Sequence, residues 1–202
     1  ESKEIAGYAV LGVLGHGARS TIYAVRDGDG QIYALKRVIK ESAEDQRFLE
    51  QAISEHKICS ELDHQSLRKS LKLIRQRAII RTSEVLVLME MVDGPTMEHY
   101  KFKSVAEFCR LCRQAALGLN AMHQAGYVHA DIKPSNMLVT GPDQVKIIDF
   151  GQSCPIGTVK QRIQGTPDYI APEQVLRKQI VPQTDVFNLG ASMYWMLTGK
   201  YV

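Results

Sequence analysis

The sequence predicts an α+β fold in which an antiparallel sheet with one helix precedes a mostly helical part. In the first 92 residues, apolar positions recur with the two-residue period of strands, apart from one helical stripe. After the break at 93–95, Asp-Gly-Pro, apolar positions recur mainly with the helical period. We therefore expect two parts, 1–92 and 93–202, divided at this break.

The composition excludes several classes of protein. Charged residues make up 23% and hydrophobic residues 45% of the chain, which excludes wholesale disorder, collagen and coiled-coil rods. The net charge of +3 is too small to indicate nucleic acid as a partner, and none is expected. The uncharged, mainly apolar stretch 186–199 is too short to cross a bilayer, so no membrane segment is expected in this chain.

The cysteine content bears on the compartment. Four cysteines in 202 residues are too few for a disulfide scaffold, which favours a reducing compartment and a cytoplasmic location. The possibility of a membrane anchor outside these residues is left open.

The elements of the first part follow one another closely. An Asp-Gly-Asp-Gly turn at 27–30 separates two strands of an antiparallel meander. A helix is expected where apolar residues recur at Phe48, Ala52, Cys59 and Leu62. Strands are expected over six ranges: 8–14, 21–26, 32–39, 71–74, 78–80 and 85–89.

The second part contains one long helix and one terminal helix, with two short strands between them. The long helix should end near Gly126, and the terminal helix should begin near Asp185. Strands are expected at 137–139 and 145–148, around a Gly-Pro turn. The expected buried face of the long helix comprises Val105, Phe108, Cys109, Cys112, Ala116, Leu119 and Met122. Cys109 and Cys112 are therefore expected to be buried thiols rather than metal ligands.

A glycine-rich loop, Gly15-x-Gly17-x-x-Ser20, lies between the first two strands. A dinucleotide-binding fold would need a helix after such a loop, so the strand on both sides argues against that fold. A hairpin whose backbone N–H groups approach a phosphate fits better. The alternative is an ordinary hairpin turn that contains glycines.

Two charged residues occupy positions on apolar faces. Lys36 shares a strand face with Ile32, Ala34 and Val38, and Glu55 falls within the helical stripe. Because a buried charge is costly without a partner, we expect Lys36 and Glu55 to meet. The alternative is that Lys36 extends to solvent and Glu55 lies at the edge of the stripe.

A third pattern supplies hard oxygen ligands and a candidate base. Asp131 and Asn136 lie in a loop between a helix and a strand, and Asp149 follows a buried strand 13 residues after Asn136. Asn136 and Asp149 carry oxygens suited to Mg²⁺. Asp131 could accept a proton from an attacking hydroxyl, and Lys133 could neutralise charge on a transferring phosphoryl group.

Taken in order, these motifs resemble serine/threonine protein kinases, most of all the eukaryotic-like kinases of bacteria. The matches run from Gly15 to Gly190 and include the segment bounded by Asp149-Phe150-Gly151 and Ala171-Pro172-Glu173. The resemblance implies a two-lobed, protein-kinase-like fold with a five-stranded antiparallel N-lobe and a helical C-lobe. Since the chain stops soon after the terminal helix, the C-lobe is expected to lack the family's last helices.

The resemblance also implies ligands and roles. ATP and Mg²⁺ would be the cofactors, with Lys36 on the α- and β-phosphates, Glu55 orienting Lys36, and Asn136 and Asp149 on the metal. The glycines of the phosphate loop would be Gly15 and Gly17. The adenine would contact the gatekeeper Met89, the backbones of Glu90 and Val92, and the side chains of Ile22, Ala34 and Leu138.

For the acceptor, the resemblance implies a protein substrate with a serine or threonine hydroxyl. Asp131 would orient or deprotonate that hydroxyl, Lys133 would contact the γ-phosphate, and Thr166 would bond both residues. Lys133 two positions after Asp131 is typical of the serine/threonine branch, as is the 165–173 segment. His129 would be structural, stacked in a spine with Cys59 and Phe150 above Asp185.

One difference from the usual kinase motifs bears on regulation. Ala130 stands where the family usually has an arginine that pairs with a phosphorylated activation loop. We expect activity without such phosphorylation, although Thr158 is available to autophosphorylation and self-association for it is left open. The alternative functions are a pseudokinase scaffold that binds nucleotide without efficient transfer, and a small-molecule phosphotransferase, which Thr166 and the Ala-Pro-Glu closure disfavour.

Overall fold

The computed structural model describes residues 4–17, 19–78 and 81–202. The chain separates into a first unit of Glu1–Ser60 and Lys69–Val92 and a second unit of Glu61–Arg68 and Asp93–Val202. The segment Glu61–Arg68, which the sequence analysis placed in the first part, thus packs with the second unit. It does so because its backbone pairs with the strand residue Ile147, through Arg68 N to Ile147 O (3.0 Å) and Ile147 N to Ser66 O (2.8 Å).

The first unit is built on one antiparallel sheet. Its strands are β1 (Glu4–Ile5), β2 (Tyr8–His16), β3 (Ser20–Arg26), β4 (Ile32–Ile39), β5 (Ser70–Ala78) and β6 (Arg81–Glu90). Their order in the sheet is β1-β2-β3-β4-β6-β5. The resemblance implied five strands, and the additional one, β1, pairs with β2 through two residues only. A strand of two residues is too short for its period to be visible in a sequence.

The predicted strands 71–74 and 78–80 are not separate. β5 continues to Ala78 and pairs with β6 along its length, with register shifts after Ser70 and after Gln76. Arg75 and Gln76 are both exposed. Two successive exposed polar residues interrupt the alternation of apolar and polar positions by which a strand is predicted, so β5 was predicted as two strands. Ile79 and Ile80 lie outside the described residues.

The helix α1 (Gln46–Ser60) lies in the first unit and buries Ala52, Glu55 and Cys59 as predicted, but not the two ends of the predicted stripe. Phe48 is half-buried, with the Arg47 guanidinium 4.7 Å from its ring centroid, and Leu62 lies beyond the helix end. The buried residues are Leu49, Ala52, Glu55, Ile58 and Cys59. Glu55 therefore lies within the buried stripe.

The second unit combines helices with short strand pairs. Its helices are α2 (Val105–Gln124), α3 (Pro172–Val175) and α4 (Pro182–Thr198). Its strands are β7 (Tyr127–Val128), β8 (Met137–Gly141), β9 (Gln144–Ile147) and β10 (Cys154–Pro155). β8 pairs with β9 and β10 pairs with β7. None of the described helices is long and apolar enough to cross a membrane.

The buried face of α2 agrees with the predicted one in part, since Phe108, Cys112, Leu119 and Met122 are buried. Val105 is 72% exposed, and Cys109 and Ala116 are exposed as well. The residues buried in their place include Leu111 and Ala115. Cys109 was therefore wrongly predicted to be buried, whereas Cys112 is buried. Residues three and four apart share a helix face, so several overlapping stripes fitted the sequence equally well.

Gly94 lies where the chain runs beside β8. Its φ is +146°, and a Cβ added to it would lie 2.1 Å from the carbonyl oxygen of Val139. The neighbouring backbone is hydrogen-bonded to β8 by Val139 N to Pro95 O (2.9 Å) and Met97 N to Met137 O (2.7 Å). The segment therefore cannot move away from Val139 without losing these bonds.

Gly94→Ala is expected to lower the free energy of unfolding by about 1–3 kcal/mol from its backbone conformation alone. The contact with Val139 adds to that loss. Urea denaturation measures the change. Gly190→Ala is the matched control because a Cβ there, within α4, meets nothing within 4 Å. That control should be neutral or stabilising by ~0.5–1 kcal/mol. Equal effects of the two substitutions would contradict the assignment.

Candidate functional site

The first unit brings Lys36 and Glu55 together. Lys36 Nζ on β4 donates to Glu55 Oε2 on α1 over 2.6 Å. The Glu55 side chain is 1% exposed and the Lys36 side chain 14%. The alternative in which Lys36 extends to solvent is therefore wrong. Removing either partner would leave a buried charge uncompensated, which is costly.

The residues expected around an adenine divide between the two units. Ala34 and Met89 are opposite each other in the β4–β6 ladder and are buried in one apolar cluster, against which Ile22 packs. Glu90 ends β6, and its N–H donates to Lys69 O over 3.0 Å. Val92 is the last residue of the first unit. Leu138 lies in the second unit, buried in β8.

The glycine loop joins β2 to β3, so it has a strand on both sides. Gly17 N donates to Ser20 O over 2.7 Å, which closes a tight turn. A Cβ added to Gly15 would meet nothing within 4 Å, so the surface of the loop is open at this position. Arg19, which the sequence analysis missed, ties the loop to the segment before α1 through Glu41 (2.9 Å) and Asp45 (3.1 Å).

The second unit brings Asp131, Lys133 and Thr166 together. The Thr166 hydroxyl donates to Asp131 Oδ1 over 2.8 Å, and Lys133 Nζ donates to that hydroxyl over 2.9 Å. Lys133 Nζ also lies 3.5 Å from Asp131 Oδ2. A carboxylate, an ammonium group and a hydroxyl thus meet at one point. This arrangement can accept a proton and stabilise a neighbouring negative charge.

Asn136 and Asp149 are connected through the backbone. Ile148 N donates to Asn136 O over 2.9 Å, which places Asp149 one residue beyond that bond. Asn136 Nδ2 donates to Asp131 O over 2.9 Å. The amide nitrogen is thereby engaged, so the amide oxygen is the atom left to act as a hard ligand.

The donor set fits Mg²⁺ bound together with phosphates. Among the described residues, no group of three or more His, Cys, Asp or Glu side chains could hold a metal by itself. Magnesium is commonly held by one or two protein oxygens, with phosphate oxygens and water completing its shell. Asn136 and Asp149 could supply such a pair.

Asp185, near the start of α4, binds the backbone of the loop that carries Asp131. Asp185 is fully buried and accepts the N–H of His129 (2.9 Å) and of Ala130 (2.8 Å). The ring of His123 lies 2.8 Å from the same carboxylate. These bonds accommodate the left-handed conformation of Ala130, whose φ is +61°.

His129 has the structural surroundings that were expected of it. It is fully buried, and its ring centroid lies 5.3 Å from that of Phe150. Cys59, the third member of the expected stack, belongs to the first unit and is buried there.

Two further residues of the second unit escaped sequence analysis. Lys160 Nζ donates to the carbonyl of Gln152 over 2.5 Å, and burial lowers the pKa of its ammonium group. The Gln174 side chain is buried and bonds the carbonyl of Ala130. Neither residue belongs to a periodic stripe, and their partners lie outside any local motif, so no signal in the sequence marked them.

The sequence model of the family described as "Protein kinase domain" matches residues 8–202. The chain is 29% identical over 205 residues to the serine/threonine-protein kinase PknA of Corynebacterium glutamicum, covering 96% of this chain and 44% of that protein. It is 30% identical over 186 residues to PknA of Mycobacterium tuberculosis strain H37Ra, covering 88% and 43%.

A eukaryotic protein is similar to the same extent. The death-associated protein kinase dapk-1 of Caenorhabditis elegans is 31% identical over 203 residues, covering 95% of this chain and 14% of that protein. The chain spans less than half the length of each of these three relatives.

The contrast between Cys109 and Cys112 is testable by thiol labelling. Burial raises the pKa of the Cys112 thiol to about 12, whereas Cys109 is exposed. Because the thiolate is the reactive form, we expect only Cys109 to react rapidly with Ellman's reagent at pH 8. The readout is released chromophore, with Cys109→Ser as the control that should remove the rapid phase. Rapid reaction of Cys112 would contradict the burial of that side chain.

Proposed function

The chain belongs to the protein kinase domain family, and from this we propose that it transfers the γ-phosphoryl group of ATP to serine or threonine hydroxyls of a protein. The observation that carries the proposal is the hydrogen-bonded set of Asp131, Lys133 and Thr166. The names of the bacterial relatives, which are serine/threonine-protein kinases, support the choice of acceptor.

On this proposal the acceptor hydroxyl gives its proton to the Asp131 carboxylate as its oxygen bonds to the γ-phosphorus. The bond from that phosphorus to the bridging oxygen of ATP breaks, and ADP leaves. Lys133 stabilises the negative charge on the transferring group, and Thr166 keeps the Asp131 oxygen in position. Because the Thr166 hydroxyl is hydrogen-bonded to Asp131, we expect the acceptor hydroxyl that approaches the same carboxylate to be carried by a short side chain, as in serine or threonine. Transfer then depends mainly on positioning and charge neutralisation.

The first unit supplies the proposed contacts to ATP. Lys36, oriented by Glu55, would hold the α- and β-phosphates, and the backbone at Gly15 and Gly17 would cover them. The contacts to the adenine would come from Ile22, Ala34, Met89, Glu90, Val92 and, in the second unit, Leu138. The proposed Mg²⁺ ligands are Asn136 and Asp149, and the bound ion would neutralise charge on the phosphates.

The proposal extends to the setting of the reaction. We place the activity in the cytoplasm because all four cysteines are free thiols, as a reducing compartment maintains them. Self-association is proposed only as the encounter in which one copy phosphorylates another.

The first test measures transfer from labelled ATP with Mg²⁺ to a generic basic protein. Asp131→Asn removes the proton acceptor with little change of shape, so transfer should fall by about 10²–10⁴-fold. Nucleotide binding, followed by thermal shift, should be unchanged. Asp143→Asn is the matched control because Asp143 forms an exposed ion pair with Arg110, and such pairs contribute little to stability.

Each outcome of this test has a distinct meaning. Loss of transfer in Asp131→Asn alone supports the proposal and the role of Asp131. Nucleotide binding without transfer by the unsubstituted chain would favour the scaffold hypothesis. Full activity of Asp131→Asn would show that another group accepts the proton.

The second test concerns phosphorylation of the segment that follows Asp149. Ala130 supplies no guanidinium for a phosphate, and the segment is bonded internally by Lys160 to Gln152 and by Ile180 N to Thr158 O (2.9 Å). Phosphatase-treated and untreated protein should therefore turn over at the same rate within roughly twofold. Mass spectrometry confirms removal of phosphate, and a large loss of rate would contradict the expectation.

A further inference from the structure

Gln174 is a buried glutamine whose amide has all its hydrogen-bonding positions engaged. It lies in α3, directly after Glu173, and is 4% exposed. Its Nε2 donates to Ala130 O (2.8 Å) and to Gln164 O (3.1 Å). Its Oε1 accepts from Ala171 N (2.9 Å) and from Asn188 Nδ2 (3.1 Å). Because Ala171 N can only donate and the two carbonyls can only accept, the orientation of the amide is determined.

The two carbonyls that Gln174 binds flank the proposed catalytic group. Ala130 O belongs to the peptide bond that leads into Asp131, and Gln164 precedes Thr166 by two residues. Thr166 in turn donates its hydroxyl to Asp131 Oδ1 over 2.8 Å. A single amide group therefore restrains the chain on both sides of the hydrogen bond between Asp131 and Thr166.

Gln174 also completes the support of Ala130. The N–H of Ala130 donates to Asp185 over 2.8 Å, and its carbonyl accepts from Gln174 over 2.8 Å. The left-handed residue before Asp131 is thus held at both of its peptide bonds by buried side chains. Gly165 permits the close approach, since a Cβ there would lie 3.0 Å from Gln174 Nε2 with φ at +125°.

We propose that Gln174 is a positioning residue for phosphoryl transfer, which holds the Asp131 loop and the Thr166 segment in one arrangement through its side-chain amide. The inference rests on the proposed kinase activity and adds to it a residue that touches neither nucleotide nor acceptor. An apolar side chain at 174 would leave the buried carbonyl of Ala130 and the part-buried carbonyl of Gln164 without this donor, which favours movement of both segments.

The test compares Gln174→Met with Gln179→Met. Methionine matches glutamine in size but cannot hydrogen-bond through an amide, and Gln179 is an exposed glutamine of the same segment. Gln174→Met should lower kcat by roughly 10- to 100-fold, the range that a displacement of about 1 Å costs a catalytic group. The KM for ATP and the thermal shift with nucleotide should stay unchanged, and Gln179→Met should behave as the unsubstituted chain.

Two further measurements separate positioning from a general loss of structure. Gln174→His retains an N–H donor of similar reach and should recover part of the lost kcat. Hydrogen exchange of the backbone amides at 129–131 should become faster in Gln174→Met and stay unchanged in Gln179→Met. This second measurement does not depend on catalysis. It therefore tests whether Gln174 restrains the backbone at 129–131 even if the unsubstituted chain transfers no phosphate.

A kcat of Gln174→Met within twofold of the unsubstituted value, or unchanged exchange at 129–131, overturns the proposal. Loss of activity that histidine does not relieve and that tracks a lowered melting temperature also overturns it, in favour of a purely structural role. Absence of transfer by the unsubstituted chain, with faster exchange in Gln174→Met, refutes the proposed function but retains the restraint.

Discussion

The fully buried carboxylate of Asp185 sets the shape of the loop that presents Asp131. A carboxylate without solvent needs donors on its oxygens, and it obtains them from the backbone N–H groups of His129 and Ala130. Those bonds hold Ala130 in a left-handed conformation that a non-glycine residue seldom adopts without support. The direction of the next residue, Asp131, follows from that conformation.

Each unit contains a buried charged side chain that is compensated by hydrogen-bonding or charged partners. In the first unit, Lys36 and Glu55 neutralise each other on faces that are otherwise apolar. In the second, Asp185 is satisfied by backbone donors and the ring of His123. These partners offset the cost of burying the charges of Glu55 and Asp185. They also restrict the orientation of Lys36 and of the loop that carries Asp131. Rigid placement of this kind is what phosphoryl transfer requires, because the reaction depends chiefly on geometry and charge.

Several candidate site residues could be identified from the sequence because they stand at short spacing along the chain. Lys36 and Glu55 were identified instead as charges on apolar faces. Asp131, Lys133 and Asn136 fall within six consecutive positions, and Asp149 follows a short buried strand. Helix faces were predicted only in part, because several overlapping stripes fit the same apolar residues. Cys109 in α2 was misplaced for this reason. The strand β1 was missed because two residues cannot show a period.

The sequence by itself determined the class of fold, the order of the motifs and the candidate chemistry of Asp131, because these depend on residue types at short spacing. The sequence also predicted one distant contact, between Lys36 and Glu55, because each of these charges lies on an apolar face. Only the tertiary structure decided the long-range hydrogen bonds that no sequence pattern marks. Gln174 reaches Ala130 across 44 positions, and Asp185 reaches the same residue across 55. Such bonds leave no periodic trace, because a buried polar group needs a partner in space at any distance along the chain.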